Sequence, residues 1–286
     1  MHIRLPFTSA LMLLVCAHSL GAAPIVVSGD LGAIRRFLLP SFRDNLAGEP
    51  HLLAFAITEP AAGSDVEEGH GAARHTPGVV ARRVSGGYLL SGRKCYISGG
   101  DLARQTVVFA ALEGEGMESW TAFVVSASSP GYRVARTELK MGMRASGAAE
   151  IELTDVFVAD DRVLGVRKGW ALNRATLNMS RLPVAAMGVG FARAAIDVAT
   201  EYACGTRLGR KQLVDYQEVQ LALADMHAET QAARAMVWEA ARRPQPVQRE
   251  ASAAKFFCTD VAHGVCTRAM DLLGNHAVLH ERRIER

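Results

Sequence analysis

Most of the features that announce a specialised chemistry are missing from this sequence. Lys and Arg exceed Asp and Glu by only 32 to 29, and no long run of one sign occurs. A polyanion-binding surface is thereby excluded as the main function, and no nucleic-acid partner is expected. The five cysteines (Cys16, Cys95, Cys204, Cys258, Cys266) are odd in number and form no C-x-x-C pair. That excludes a disulfide framework and reads as free thiols in a reducing compartment, the cytoplasm. Nine histidines are dispersed, with no H-x-x-x-H and no His/Cys cluster at ligand spacing, so no metal site is expected. No stretch supplies the roughly 20 successive apolar residues of a membrane span, so no membrane partner is expected.

What is present is the balance of an ordinary globular chain, 49% hydrophobic and 21% charged over 286 residues. That length holds one large domain or two ordinary ones. Met1 to Pro24 has the outline of an export signal: His2 and Arg4, an apolar Ala10 to Ala17, then small Ala22 and Ala23. The same residues also suit a buried helix.

Texture divides the chain in three. Residues 1–50 are apolar and helical, broken at Gly29-Asp30, with a second helix around Leu31 to Phe42. From residue 51 to 161, short runs rich in β-branched and aromatic residues alternate with glycine turns: Leu52–Thr58, Val79–Val84, Tyr88–Ile97, Thr106–Leu112, Ala122–Ser126, Tyr132–Leu139 and Ala149–Val158. Ser85-Gly86-Gly87 between two of them is a hairpin signal, because glycine takes the positive φ of a tight turn. Closely spaced strands of this kind predict a compact β-domain, barrel or sandwich. In residues 162–286 the apolar period becomes that of helices from Gly169 onward, with three long ones over Gly169–Cys204, Gln212–Arg242 and Gln248–Leu273. Gly205–Lys211 and the stretch with Pro244 separate them, as in a bundle. The expected fold is α+β and multidomain: a partial N-terminal helical layer, a central barrel- or sandwich-like β-domain, and a C-terminal helical bundle.

Thr58-Glu59-Pro60-Ala61-Ala62-Gly63-Ser64-Asp65 closes one strand in a turn whose glycine allows close backbone approach, with hydroxyls at Thr58 and Ser64. Alone it reads as an ordinary turn. It is followed by Gly92-Arg93-Lys94-Cys95-Tyr96-Ile97-Ser98-Gly99-Gly100, by Lys140-Met141-Gly142-Met143-Arg144-Ala145-Ser146, and by Thr154-Asp155-Val156-Phe157-Val158. In the helical part come Tyr202-Ala203, Tyr216-Gln217-x-Val219-Gln220, Leu223-Ala224-Asp225-Met226, Ala254-Lys255, Gly274 and Glu285-Arg286. In this order and spacing the set resembles the acyl-CoA dehydrogenase family. Upstream, His18-Ser19-Leu20-Gly21 and Pro24 to Gly29 sit where that family carries a helix, which favours the buried-helix reading of the N-terminus.

The resemblance implies FAD as cofactor and α,β-dehydrogenation of an acyl thioester. It places Phe55, Ile57, Thr58, Gly63 and Ser64 against the isoalloxazine ring or its polar edge, and Tyr96 and Ser98 on the other side near N5. It implies a coenzyme A or acyl-carrier-protein thioester as substrate, an electron-transfer flavoprotein or oxygen as acceptor, a homodimer or homotetramer, and a place in fatty acid metabolism. Two departures stand out. The family's phosphate-site arginine in R-x-x-F-G corresponds to Thr206, its phenylalanine to Gly209 and its glycine to Arg210, so Arg207 or Arg210 would have to reach the pyrophosphate. Its late Q-x-x-G-G-x-G becomes Asp271-Leu272-Leu273-Gly274-Asn275-His276-Ala277, with a carboxylate beside the Gly274 contact.

The catalytic base is missing. The family takes a glutamate either from beyond its E-[RK]-x-x-R-D segment, within which this sequence ends at Arg286, or from the residue before an arginine early in the first bundle helix. Here that pair is Ser180-Arg181, and serine is no base at neutral pH without a partner. The expectation is therefore a dehydrogenase chain incomplete at both ends. The alternatives are a flavin-dependent hydroxylase or monooxygenase of the same fold and a non-catalytic truncated subunit. Sequencing the flanking DNA is expected to reveal in-frame codons that continue the E-[RK]-x-x-R-D segment and include a glutamate next to glycine. A stop codon directly after Arg286 would count against the dehydrogenase.

Overall fold

The computed structural model describes residues 18–64, 76–144, 146–243, 247–282 and 284. Most of the signal-like stretch, Cys16, Asp65, Ala145, Pro244 and the Glu285-Arg286 pair fall outside them. The chain divides into two compact units, Met1–Thr176 and Leu177–Arg286.

In the first unit, helix α1 spans His18–Val27. Its Ala22, Ala23 and Ile25 are buried. Gly21 is what lets it lie on the sheet, since a Cβ there would stand 2.5 Å from the Leu53 carbonyl carbon. Gly29 takes φ 70 and ends the helix, and the Asp30 carboxylate accepts the Ala33 N–H at 3.1 Å as the next cap. Helix α2 then runs as Leu31–Ala33, a π-helical turn over Ile34–Leu38, and Leu39–Leu46. It outlasts the expected end at Phe42. Pro40 lacks an N–H and crowds the turn before it, and the widened turn absorbs that conflict instead of a break.

Seven strands follow: β1 Leu52–Ala56, β2 Val79–Val84, β3 Gly87–Ser98, β4 Ala103–Leu112, β5 Thr121–Ser126, β6 Tyr132–Thr137 and β7 Ala148–Ala159. All seven predicted runs are strands, with ends shifted by a few residues. They form one mixed sheet in the order β1-β4-β2-β3-β7-β6, with β5 on the other side of β4. β1 and β2 both run parallel to β4, while every other pairing is antiparallel. β2 and β3 are joined by a two-residue turn, with Val84 opposite Gly87 and Gly86 at φ 76. The sheet curls round one core made of Ala54, Val79, Tyr88, Leu90, Val108, Phe123, Ile151 and Val156 among others.

The second unit is built on α3, Gly169–Gly205, α4, Gln217–Ala241, and α5, Gln248–Leu273. Up to Thr176, α3 counts with the first unit. The sequence reading began α4 at Gln212. Instead Arg207–Leu208 and Lys211–Gln212 pair as a small hairpin, β8 and β9, turned by Gly209 at φ 63, and a 3₁₀ turn over Leu213–Asp215 leads into the helix. A capping box between Gln212 and Asp215 holds that turn, a local preference that hydrophobic period does not register. Among the described residues α3 is the helix long and apolar enough, by length and composition only, to cross a bilayer, a test that the core helix of a globular protein also passes.

The core of this unit is rich in small side chains, Ala185, Ala192, Ala195 and Ala199 from α3, Ala233 from α4, and Ala254, Cys258 and Ala269 from α5, set around the larger Met226, Val261, Val265 and Leu273. Where α3 meets α5, a Cβ on Gly188 would lie 2.8 Å from the Cys258 carbonyl oxygen, whereas one on Gly190 would meet nothing within 4 Å. Helix propensity favours alanine over glycine by about 1 kcal/mol at both positions. Overpacking against a backbone costs about 1–3 kcal/mol. Thermal unfolding should therefore show Gly190→Ala raising the midpoint and Gly188→Ala lowering it; equal shifts would show that the helices separate freely at Gly188.

Candidate flavin site

In the sheet β4 and β2 stand between β1 and β3, yet the loop leaving β1 reaches the far end of β3. The loop leaving β1 and the far end of β3 are joined by three contacts. Cys95 N–H donates to Thr58 O at 3.0 Å. Lys94 Nζ donates to Ile57 O at 2.9 Å. It also donates to Glu59 Oε1 at 2.7 Å, and both of those side chains are 0% exposed. Glu59 in turn accepts the backbone N–H groups of Gly78 and Val79 at 2.7 and 3.2 Å. The Trp120 ring closes over the Lys94 ammonium at 5.5 Å. Burial pushes the Lys94 ammonium below the ordinary lysine value, and the Glu59 charge and hydrogen bond pull it back up.

The strand itself is shaped by a bulge. Lys94 pairs with Ile151, but the next pair is Ile97 with Ala149, so β3 carries one residue more than β7 across this step. Strict alternation would send Lys94 and Tyr96 to the same face. The extra residue buries Lys94, Cys95 and Ile97 and turns Tyr96 out, 64% exposed. Tyr96 reaches this position in the left-handed region, at φ 58. An aromatic residue held there and shown to solvent is a strained arrangement, of a kind that accumulates at functional sites.

The structure sets Ile57 and Thr58, half-buried, beside the bulge carrying exposed Tyr96 and Ser98. Gly63 and Ser64 lie exposed just beyond a tight turn in which Glu59 and Ala62 exchange backbone hydrogen bonds. Phe55 is 7% exposed and packs edge-on against Phe109, with ring centres 5.3 Å apart. An exposed aromatic face, clustered hydroxyls and peptide groups suit a planar, partly polar heterocycle, so the donor set fits an isoalloxazine.

Within the second unit, Ser180 Oγ donates to Leu177 O at 2.9 Å, back along its own helix. Its neighbour Arg181 is half-buried. Arg207 and Arg210 are both exposed on the β8–β9 hairpin, with Arg207 Nη2 donating to Arg210 O at 2.8 Å. Gly274 ends α5 at φ 57, and Asp271 beside it is exposed. Close by, Tyr202 Oη and His276 Nδ1 lie 2.9 Å apart. Among the described residues no group of His, Cys, Asp and Glu is arranged for a metal. Cys95, Cys204, Cys258 and Cys266 are free thiols.

Residue-by-residue reading missed the Glu59–Lys94 pair. Both lie inside the motifs, but β3 also carries Arg93 beside Lys94, so the sequence does not show which cation is buried; once buried, the lysine needs an acid partner.

Comparison with known proteins settles the family. Residues 54–156 match the acyl-CoA dehydrogenase middle domain and residues 167–286 the acyl-CoA dehydrogenase C-terminal domain. The chain is 32% identical over 276 residues to the caffeyl-CoA reductase-Etf complex subunit CarC of Acetobacterium woodii, covering 94% of this chain and 69% of that protein. It belongs to the acyl-CoA dehydrogenase family. The 3-(aryl)acrylate reductase of Clostridium sporogenes is also 32% identical, over 274 residues, with 94% of this chain and 69% of that protein covered. The solved structure of butyryl-CoA dehydrogenase from Megasphaera elsdenii superposes with a TM-score of 0.86 at 31% identity, covering 97% of this chain and 72% of that one. The fold is thus the acyl-CoA dehydrogenase fold, and the chain is a member of a flavin-dependent oxidoreductase family.

The strain at Tyr96 has a measurable counterpart. Glycine occupies positive φ without the Cβ penalty, and such a residue costs of order 1 kcal/mol. Tyr96→Gly should raise thermal stability slightly while weakening flavin binding several-fold. Loss of stability without loss of binding would mean that the ring serves packing.

Proposed function

We propose that this chain binds FAD and takes part in α,β-dehydrogenation of an acyl thioester. The observation that carries this reading is the strained, outward-turned Tyr96 held beside the Ile57–Thr58 peptide by the Cys95 and Lys94 hydrogen bonds. In this reading Phe55, Ile57, Thr58, Gly63 and Ser64 hold one side and the polar edge of the isoalloxazine, and Tyr96 and Ser98 the other. Arg207, Arg210 and Gly274 are the groups available to the phosphates. A bound flavin supplies the hydride acceptor for the carbon β to the thioester. The chain's own residues bind and orient the ring, and their apolar walls keep water from it.

The α-proton needs a base. Ser180, at one of the two family positions for that base, is engaged with its own helix through Leu177 O. The named relatives include reductases of caffeyl-CoA and of arylacrylates. This favours a second reading in which the same site runs in the direction of 2-enoyl reduction. The rest of the proposal covers a coenzyme A or carrier-protein thioester, exchange of electrons with an electron-transfer flavoprotein, as the CarC name suggests, a homodimer or homotetramer, the cytoplasm, fatty acid metabolism, and a division into 1–50, 51–161 and 162–286.

Purified protein incubated with FAD and desalted should keep a visible flavin spectrum; a colourless, well-folded protein would overturn the reading. With flavin bound, Ser180→Glu should raise dehydrogenation of a short acyl-CoA to an artificial acceptor dye by about 10²-fold, the low end of what a positioned base contributes. No gain in a flavin-loaded variant would show that the Ser180 position does not face the substrate.

A further inference from the structure

We infer that Lys94 is a positioning residue for the flavin site: by holding the Ile57 carbonyl oxygen it aims the Thr58 N–H at the electron-rich pyrimidine edge of the cofactor. This rests on the flavin reading above and names the group that sets its polar contact. Lys94 Nζ lies 2.9 Å from Ile57 O and 2.7 Å from Glu59 Oε1. Its side chain has no exposure, and the Trp120 ring centre is 5.5 Å away.

A trans peptide is planar, with its C=O and N–H pointing in opposite directions. No cis peptide occurs among the described residues. The Ile57 oxygen faces the interior ammonium, so the Thr58 N–H faces the opposite way, out of the core. The following peptide is fixed as firmly. Its oxygen, Thr58 O, accepts the Cys95 N–H at 3.0 Å, and its N–H, on Glu59, donates to Ala62 O at 3.0 Å. Two successive peptide planes are thus locked, one by the Lys94 side chain and one by the backbone beside Tyr96. Gly78 makes room for the clamp, since a Cβ there would stand 2.7 Å from Glu59 Oε2.

Glu59 orients the ammonium and ties the start of β2 to it, while among the described residues the side-chain contact to the Ile57 oxygen is made by Lys94. This asymmetry separates positioning from mere support. A hydrogen bond to a charged acceptor is roughly twice as strong as one between neutral groups. Reduction places negative charge on the pyrimidine side of a flavin, so a correctly aimed N–H holds the reduced form more tightly than the oxidised one.

The test compares wild type, Lys94→Met, Glu59→Gln and the double variant Lys94→Met/Glu59→Gln, each reconstituted with FAD, by oxidised-FAD affinity and by midpoint potential against reference dyes. The double variant leaves no carboxylate buried without its cation, so it provides a folded species where the single lysine variant fails to fold. Both variants lacking Lys94 should lose about tenfold in preference for the reduced form, which for a two-electron couple is a potential about 30 mV more negative. Glu59→Gln should keep the wild-type potential even where its melting temperature falls. An unchanged potential in the folded variants lacking Lys94 overturns the inference. An equal shift in Glu59→Gln overturns it as well, because the charge pair rather than the Ile57 carbonyl would then be responsible. Failure of the wild type itself to take up FAD would instead remove the flavin reading.

Discussion

A lysine and a glutamate 35 residues apart in the chain meet where neither has any exposed side-chain surface. Removing two charges from water costs several kcal/mol per ion after relaxation, and only close geometry with full hydrogen bonding offsets it. Both conditions are met. The ammonium has Glu59, the Ile57 carbonyl and the Trp120 face, and the carboxylate has the ammonium and two backbone N–H groups. Those partners come from the loop after β1, the start of β2 and the residue before β5, so the pair ties these segments to the bulge of β3 at one point. An apolar pair of the same size would fill the space but would leave the Ile57 carbonyl without its lysine donor.

The bulge and the ion pair depend on each other. Without the extra residue, Tyr96 would follow Lys94 to the inner face, where Trp120 already fills the space by stacking on Trp170 at 4.6 Å between ring centres. With it, the strand buries Lys94 and Cys95 in succession and then turns the tyrosine outward at an unfavourable φ. Such strain persists where the surroundings over-determine it. Here the surroundings are a β7 partner on one side and the Thr58 carbonyl on the other.

The helical unit follows a different rule. Its core mixes many alanines with Met226, Val261, Val265 and Leu273, and contact at Gly188 is so close that one methyl group would reach the opposing backbone. Close backbone approach lets short side chains fill the interior at normal density, and it makes that unit sensitive to added volume. Its local turns are set by other means, a capping box before α4 and a positive-φ glycine after α5.

Much of this was legible in the sequence because it is written in local terms. Period-two runs separated by glycine gave all seven strands, long apolar periodicity gave three helices, and the ordered motifs pointed to the family. Tyr96, Thr58 and Ser98 were named from those motifs alone. The end of α2 beyond Phe42 and the start of α4 beyond Gln212 were not legible, since a π turn and a capping box answer to hydrogen bonding within a few residues and leave hydrophobic period unchanged. Sequence by itself therefore determined which segments are strand or helix, and which family they compose, because those follow from side-chain pattern along the chain. Tertiary structure alone decided that Lys94 meets Glu59 and that Tyr96 turns outward, because both depend on a one-residue slip against β7, and register is a property of two strands together.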